Sequence, residues 1–421
     1  MKNKIKLIIP VYLGTLLEWY DFSIFVFFAP ILSNLFFPSS SRVISTLMTY
    51  VVFAIGFVAR PLGAVAFGQY ADNHGRKNSM LLSMAIITVS TTLIGLLPTY
   101  ETIGVFAALG MTLLRLIQGF CVGGESSGSA TYMIEMFPLK NRGVLASFMW
   151  SSVGFGMLLG SGVTTLMFNM YTNEQLNAGF WRIPFLLSLL TGFVGLYFRQ
   201  KISETNLYKN YKNGEEFRKL SASQNILENK QKIFSIITLY GLSSIITYLL
   251  FVFMPVYMSQ YNDIDVKTTS TITTIALGSV TLFVPLSGYI SDVVGRKFCL
   301  YAGAVGFFLF SIPLYFYMHV EKTILSFILS DSIFVLLAIL YQGALTAAVQ
   351  ETAQTSNRFT LTSVGYNISY GLFGGTAPLI VSFLSEISGI EIIPGIYLTF
   401  FAFLALIAVF RMKETYEVQL E

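Results

Sequence analysis

Apolar stretches long enough to cross a bilayer recur along the whole chain, separated by short polar breaks. Eight of them, residues 43–59, 78–100, 143–173, 233–262, 268–291, 298–318, 359–385 and 392–410, contain no Asp, Glu, Lys or Arg. Four more, 7–37, 103–134, 183–198 and 323–350, bring the number to twelve. About 20 residues of helix match a hydrocarbon core of ~30 Å. Inside hydrocarbon every backbone polar group must be satisfied within its own segment, so each run predicts a helix. The ~10-residue alternation of a membrane barrel is absent. The fold class expected is therefore an all-α membrane protein with twelve transmembrane helices.

Composition agrees. The chain has 421 residues, of which 54% are hydrophobic and 11% charged. A soluble domain carries about 25% charged residues. The first apolar run exceeds the length of a signal-peptide core, so no cleavable leader is expected. Cys121 and Cys299 are too few for a disulfide framework or a metal site and read as reduced packing residues.

Lys and Arg set the orientation. With the N-terminus in the cytoplasm, twenty of them fall on the cytoplasmic side, from Lys2, Lys4 and Lys6 to Arg411 and Lys413. Arg42, Lys267 and Lys322 fall outside. The net charge of +4 is thus a topology signal and not a nucleic-acid footprint. Both termini are expected in the cytoplasm, with the chain integral to a bacterial inner membrane. One long basic connection separates six predicted spans from six more. It divides the chain into an N-terminal bundle (1–200), a cytoplasmic linker along the membrane surface (201–231) and a C-terminal bundle (232–421).

The halves repeat. "GQYADNHGRK" (68–77) and "GYISDVVGRK" (288–297) share G-x-x-x-D-x-x-G-R-K. "EMFPLKNR" (135–142) and "ETAQTSNR" (351–358) each place Glu seven residues before Arg. Two matches at nearly one offset predict pseudo-symmetric six-helix repeats, an arrangement used by secondary transporters.

At these residues the chain resembles the major facilitator superfamily, and within it the metabolite:H+ symporters. "EWYDF" (18–22), "ARPLGAVAFGQYADNHGRK" (59–77), "RLIQGFCVGGE" (115–125), "WRIPF" (181–185) and "YNISYGLFGGTAP" (366–378) carry the resemblance. It covers about residues 8–411. It implies two six-helix bundles, alternating access and a proton as coupling ion, with no other cofactor. It also implies a proton-coupling acid in the first span opposite an Arg in the fourth, positions held here by Asp21 and Arg115. The long C-terminal coiled-coil tail of some osmosensing members has no counterpart after the last predicted span, so tail-mediated osmosensing is not expected.

Buried charge supplies the candidate chemistry. Glu18 and Asp21 share a helix face with Gly14 and Phe25. Arg115, Gln118 and Glu125 share another face in the fourth span. Each ionisable side chain in a bilayer costs roughly 2.5–3.5 kcal/mol on insertion scales, so these groups should face one another or a watered cavity. Arg60, Tyr20 and Asn367 join this candidate cavity. A bland alternative is a buried bridge that only fixes helix register. Two arginines suit one or two substrate carboxylates. Aromatic residues near Trp19 and Tyr20 suit a quaternary ammonium.

Among the substrates that the resemblance implies, a proline or betaine type is favoured, its cationic end on Glu18 or Glu125. A dicarboxylate clamped by Arg60 and Arg115 is the alternative, and uncoupled exchange is a further one. A non-transporting sensor is remote.

At the cytoplasmic face, Gly68, Asp72, Gly75, Arg76, Glu135 and Arg142 read as a gate. Arg76 is expected to bridge to Glu135. Asp292, Gly295, Arg296, Glu351 and Arg358 are its second copy. Lys77 and Lys297 read as simple topology anchors. Asp331 belongs to neither set; it lines a cavity or lies near the outer interface. His74 and His319 read as ordinary surface residues. "GFCVGGES" (119–126) is a false phosphate loop, because Glu125 replaces the lysine and no strand precedes it. No ATP-driven pump or enzyme is indicated. The partners implied are a small-molecule substrate and the bilayer, with no nucleic acid and a monomeric state.

Overall fold

The computed structural model describes residues 2–38, 42–136, 141–213, 222–262 and 264–420. Lys140, Arg218 and Lys219 from the orientation argument lie outside the described residues, as does 214–221 of the linker. The side chains of Lys2, Lys4, Lys6, Arg42 and Lys267 also lie outside.

All regular structure among the described residues is helical. α1 (Lys2–Phe27) and α2 (Ala29–Phe36) form the first apolar run, bent by 62° between them. α3 (Arg42–His74), α4 (Arg76–Leu96), α5 (Val105–Met136), α6 (Arg142–Met170) and α7 (Arg182–Gln200) follow. Short helices α8 (Asn206–Asn213) and α9 (Ala222–Glu228) occupy the predicted linker. α10 (Lys230–Tyr248) passes through a π turn, Leu249–Phe253, into α11 (Met254–Asn262). α12 (Val266–Val294), α13 (Arg296–Glu321) and α14 (Ile324–Glu351) come next. α15 (Arg358–Ile368) passes through a second π turn, Ser369–Gly374, into α16 (Ala377–Ser388), and α17 (Ile393–Arg411) closes the order.

Among the described residues, ten helices are long and apolar enough to cross a membrane, or eleven with the bent pair. α3 adds a further helix of 33 residues, ~50 Å at 1.5 Å per residue. The protein is an all-helical, multi-pass membrane protein. Many large apolar side chains are correspondingly exposed, Val58, Leu379 and Phe410 by more than 70%. That pattern suits lipid contact and would be a liability in water.

The chain divides into two compact units. Unit 1 is 1–132 with 152–222; unit 2 is 133–151 with 223–421. The ends of α5 and α6 nearest their connection therefore group with the later helices. In unit 1, α7 packs on α4 and α1, around a core that includes Phe28, Phe36, Trp181 and Phe185. In unit 2, α13 packs on α14 and α17, and α12 on α14, around Leu249, Met258, Phe307, Phe334 and Tyr341.

Small residues decide how closely helices approach. α3 and α5 cross backbone on backbone: a methyl at Gly119 would meet the Gly56 carbonyl, and one at Gly63 would meet the Phe120 backbone. Dispersion and close backbone contact, not hydrophobic transfer, drive such crossings in lipid. Gly119→Ala should therefore destabilise by roughly 1–3 kcal/mol. Gly162→Ala, which meets nothing within 4 Å, should be neutral or slightly stabilising in its helix. Cys121 and Cys299 are free and buried, so thermal unfolding followed with a thiol-reactive dye separates the two variants. Equal midpoints would contradict the close-crossing account.

Candidate functional site

Unit 1 holds a chain of buried charges. Glu18 and Asp21 on α1 and Arg60, Arg115 and Glu125 on α3 and α5 are all at most 3% exposed. Glu125 forms an ion pair with Arg199 in the last turn of α7, and both are fully buried. Glu125 also accepts from Ser83 and Ser129 at 2.9 Å each, and Arg199 Nη1 donates to the Met80 carbonyl at 3.1 Å. The Arg199 guanidinium fills the space that a side chain at Gly14 would need. Arg199, at the edge of an apolar run, is one of the twenty Lys and Arg residues expected on the cytoplasmic side. The fold packs its side chain fully into the interior of unit 1.

Asp21 does not meet Arg115. Its carboxylate accepts from Ser188 on α7 at 2.6 Å. Arg115 lies over the Phe22 and Phe25 rings, 4.7 and 4.2 Å from their centroids, and donates to Gln118 at 2.9 Å. The reason is angular. Adjacent residues on a helix point about 100° apart, so Asp21 faces α7 while Phe22 faces the arginines. Gln118 passes the chain on to Thr91 at 2.7 Å. Arg60 lies 5.8 Å from the Phe22 centroid and 5.7 Å from that of Trp19. Two guanidinium groups thus flank one phenyl ring, where cation–π attraction offsets part of their desolvation.

Glu18 is different. Neither of its buried carboxylate oxygens has a hydrogen-bond partner. With Asp21 it lines a cavity of about 10 Å³ walled by Met84, Ile87, Thr88 and Gly192, room for about one water. Tyr20 ties α1 to α7 through the Pro184 carbonyl at 3.1 Å.

The repeated G-R-K turns have matching surroundings. Gly75 and Gly295 adopt φ of 109° and 101°, a region that strains other residues. Side chains there would also meet Glu204 and Glu414 respectively. Glu204 accepts from the Lys77 amide at 3.2 Å. Glu414 accepts from the Arg296 and Lys297 amides at 3.0 and 3.1 Å. Each glutamate caps the start of a helix, where orphan amides and the helix dipole favour an anion. Lys77 donates to the Gln200 carbonyl at 2.7 Å and Lys297 to the Met412 carbonyl at 3.0 Å. The lysines therefore hold helix C-termini in addition to any part in topology. Arg76 lies over Tyr208 and Arg296 over Tyr416. Burial pushes the Tyr208 hydroxyl up to about 12, with Arg76 pulling it partly back.

The sequence held a signal for this third repeat, "RQKISET" (199–205) against "RMKET" (411–415). The unequal spacing before Glu-Thr hid it. Residues 199–208 are consequently docked against α4, not loose linker.

Of the other gate residues, Asp72 pairs with Arg76 at 3.3 Å, and Gly68 is buried in α3. In unit 2, Arg296 pairs with Asp292 at 2.7 Å and with Glu351 at 3.3 Å. Asp292 also accepts from the Gly143 and Val144 amides at 2.8 and 2.9 Å, capping α6. Glu135, expected opposite Arg76, pairs with Arg358 at 2.8 Å. Arg142 donates to the Val418 carbonyl at 2.9 Å. His74 stacks on Tyr70. His319, read as an ordinary surface residue, meets Glu391 at 2.7 Å.

Unit 2 also gathers aromatic residues that sequence reasoning did not single out. Tyr366 stacks on Tyr370 at 4.4 Å and meets Tyr240 edge-on at 5.1 Å. Trp150 and Tyr248 approach Tyr370 at 5.8 and 6.4 Å. Tyr370 bonds Ser243, and Gln342 reaches Ser243 and Thr247. Asn367, one turn away, donates to the Ser363 carbonyl at 2.8 Å. Two of the three π turns among the described residues, Leu249–Phe253 and Ser369–Gly374, adjoin this group, and the third is Leu176–Phe180; such turns mark functional sites in many helices. The i, i+4 spacing of Tyr366 and Tyr370 was the available signal.

Membrane-spanning helices in two units, with buried acids and arginines and a duplicated glycine-arginine turn, are what the structure offers for comparison with transporters. The Major Facilitator Superfamily family model matches residues 11–366, and the chain belongs to that family. It is a transporter and not an enzyme. Over 402 residues it is 31% identical to a putative proline/betaine transporter of Staphylococcus aureus (strain COL), covering 94% of this chain and 86% of that one. Identity is 31% over 420 residues to the ectoine/proline transporter ProP of Corynebacterium glutamicum, covering 96% and 82%. It is 30% over 416 residues to the proline/betaine transporter of Salmonella typhimurium, covering 96% and 82%. Among solved structures, the proton:xylose symporter XylE superposes with a TM-score of 0.81 at 16% identity, covering 98% of this chain and 96% of that one. That likeness speaks to the fold.

The Glu125–Arg199 pair generates a prediction. Arg199→Leu leaves a buried carboxylate without its cation and should cost about 3–5 kcal/mol. Arg199→Leu with Glu125→Leu should recover much of that loss, because an apolar pair carries no desolvation penalty. Thermal unfolding of the two variants decides it. Equal losses would show that the charge pair is not the term that matters.

Proposed function

We propose that the protein is a proton-coupled symporter that takes up a small carboxylate-bearing metabolite, of the proline/glycine betaine type, by alternating access. The observation that carries this reading is the placement of Arg60 and Arg115 around Phe22, one position from Asp21 and close to the unbonded carboxylate of Glu18. Guanidinium groups are suited to a substrate carboxylate. Glu125 is engaged by Arg199, so Glu18 is the acid left for a cationic substrate end. Asp21, held by a single neutral hydroxyl, is suited to carrying the proton. The names of the relatives support the same substrate class. A dicarboxylate bound through both arginines is the second reading, favoured by the same two cations.

The same proposal places the protein in a bacterial inner membrane with both termini in the cytoplasm, working as a monomer. Two bundles, 1–200 and 232–421, are joined by 201–231. The ion pairs around Asp72, Arg76, Glu135, Asp292, Arg296, Glu351 and Arg358 serve as its cytoplasmic gate.

Purified protein in liposomes with an acid-outside gradient tests it. Proline or betaine should accumulate, and α-ketoglutarate, citrate and shikimate should not. Asp21→Asn should abolish gradient-driven accumulation while sparing counterflow; undiminished accumulation would remove Asp21 from the proton path. Arg115→Lys should raise KM at least about tenfold by losing planar two-point donation. Accumulation that ignores a protonophore would replace symport with exchange.

A further inference from the structure

Asp331 lies in α14, seven residues after Ile324, or ~10 Å along the helix. It is 3% exposed, and its Oδ1 has no hydrogen-bond partner. Among the described residues, none of the ion pairs found involves Asp331. It lines a cleft of about 780 Å³ between α12 and α14. The walls are almost wholly apolar, with Ile272, Ala276, Phe283 and Val335 among them.

The serines of the cleft do not serve the carboxylate. Ser279 donates to the Ile275 carbonyl at 2.8 Å, Ser332 to that of Ile328 at 2.6 Å, and Ser287 to that of Leu340 at 3.1 Å. Ile275 and Leu336, also in the lining, are 64% and 62% exposed, so the cleft opens on an apolar surface of a membrane-spanning protein. The buried Tyr315 hydroxyl has no hydrogen-bond partner among the described residues either.

We propose that this cleft binds a lipophilic ammonium, a single apolar chain bearing a protonated amine, taken from the bilayer. The walls take the chain. Asp331 takes the ammonium, which supplies the donor and the opposite charge that the protein itself withholds. An acid within a membrane span is costly and marks a site whose partner has to be named; here the partner is the ligand. A neutral alcohol of equal length fills the same cleft without the charge-assisted hydrogen bond. A fatty carboxylate places like charge on Asp331. The site involves none of the residues assigned to transport above.

Electron paramagnetic resonance of spin-labelled amphiphiles tests this, with the full-length protein in phosphatidylcholine vesicles. The probes are a doxyl-labelled alkylammonium and the alcohol of the same chain length, and the readout is the motionally restricted fraction. The ammonium should bind about tenfold more tightly than the alcohol. Asp331→Asn should erase that preference, Asp331→Glu should retain most of it, and Ala276→Trp should displace both probes by filling the cleft. Equal binding of ammonium and alcohol to the unaltered protein would overturn the proposal, even if a variant fails to fold. A preference unchanged in Asp331→Asn would overturn it as well.

Discussion

A charge placed among apolar helices has to find an opposite charge, a hydrogen-bond partner or water, and this constraint organises the whole protein. The Glu125–Arg199 pair shows it most fully. Two groups that would each be prohibitive in hydrocarbon are fully buried, held by two serine hydroxyls and a backbone carbonyl. Removing side-chain volume at Gly14 makes the room. A pair of this kind adds little net stability over an apolar substitute. It ties together α4, α5 and α7, which supply its bonded groups, and α1, whose Gly14 makes its room.

The same constraint separates the acids of α1. Among the described residues Asp21 has one neutral hydroxyl and the Glu18 carboxylate oxygens have no hydrogen-bond partner, while Glu125 is engaged by Arg199, Ser83 and Ser129. Groups left short of partners are the ones whose charge state can respond to a substrate or a proton, because ionising them is not already prepaid by neighbours. Carboxylates that look alike in sequence thus differ in how fully their neighbours bond them.

At the helix ends the chemistry is simpler and is used twice. Glu204 and Glu414 cap helix starts, Lys77 and Lys297 hold helix C-termini, and Gly75 and Gly295 supply the backbone turn that both require. These are local electrostatic devices with a fixed geometry, which is why they survive duplication with so little change. The ion pairs of unit 2 are more entangled. Asp292 serves Arg296 and two amides of α6 at once, so altering it disturbs a side-chain pair and a helix cap together.

The amino-acid sequence by itself determined the helices, the membrane class, the internal duplication and the identity of most buried charges. Those follow from hydrophobic length and motif spacing, which are properties of one segment at a time. It could not decide which charges meet. The family resemblance set Asp21 opposite Arg115, both ionisable groups in apolar runs. One helix step of about 100° turned them to different neighbours. Arg199 looked like a boundary charge because its own segment says only that it ends an apolar run. The vacancy at Gly14 that admits it lies 185 residues earlier in the chain. The tyrosines around Tyr370 and the cleft beside Asp331 were hidden for the same reason. Pairing, burial and cavity shape are properties of helix faces brought together, and only the tertiary structure brings them together.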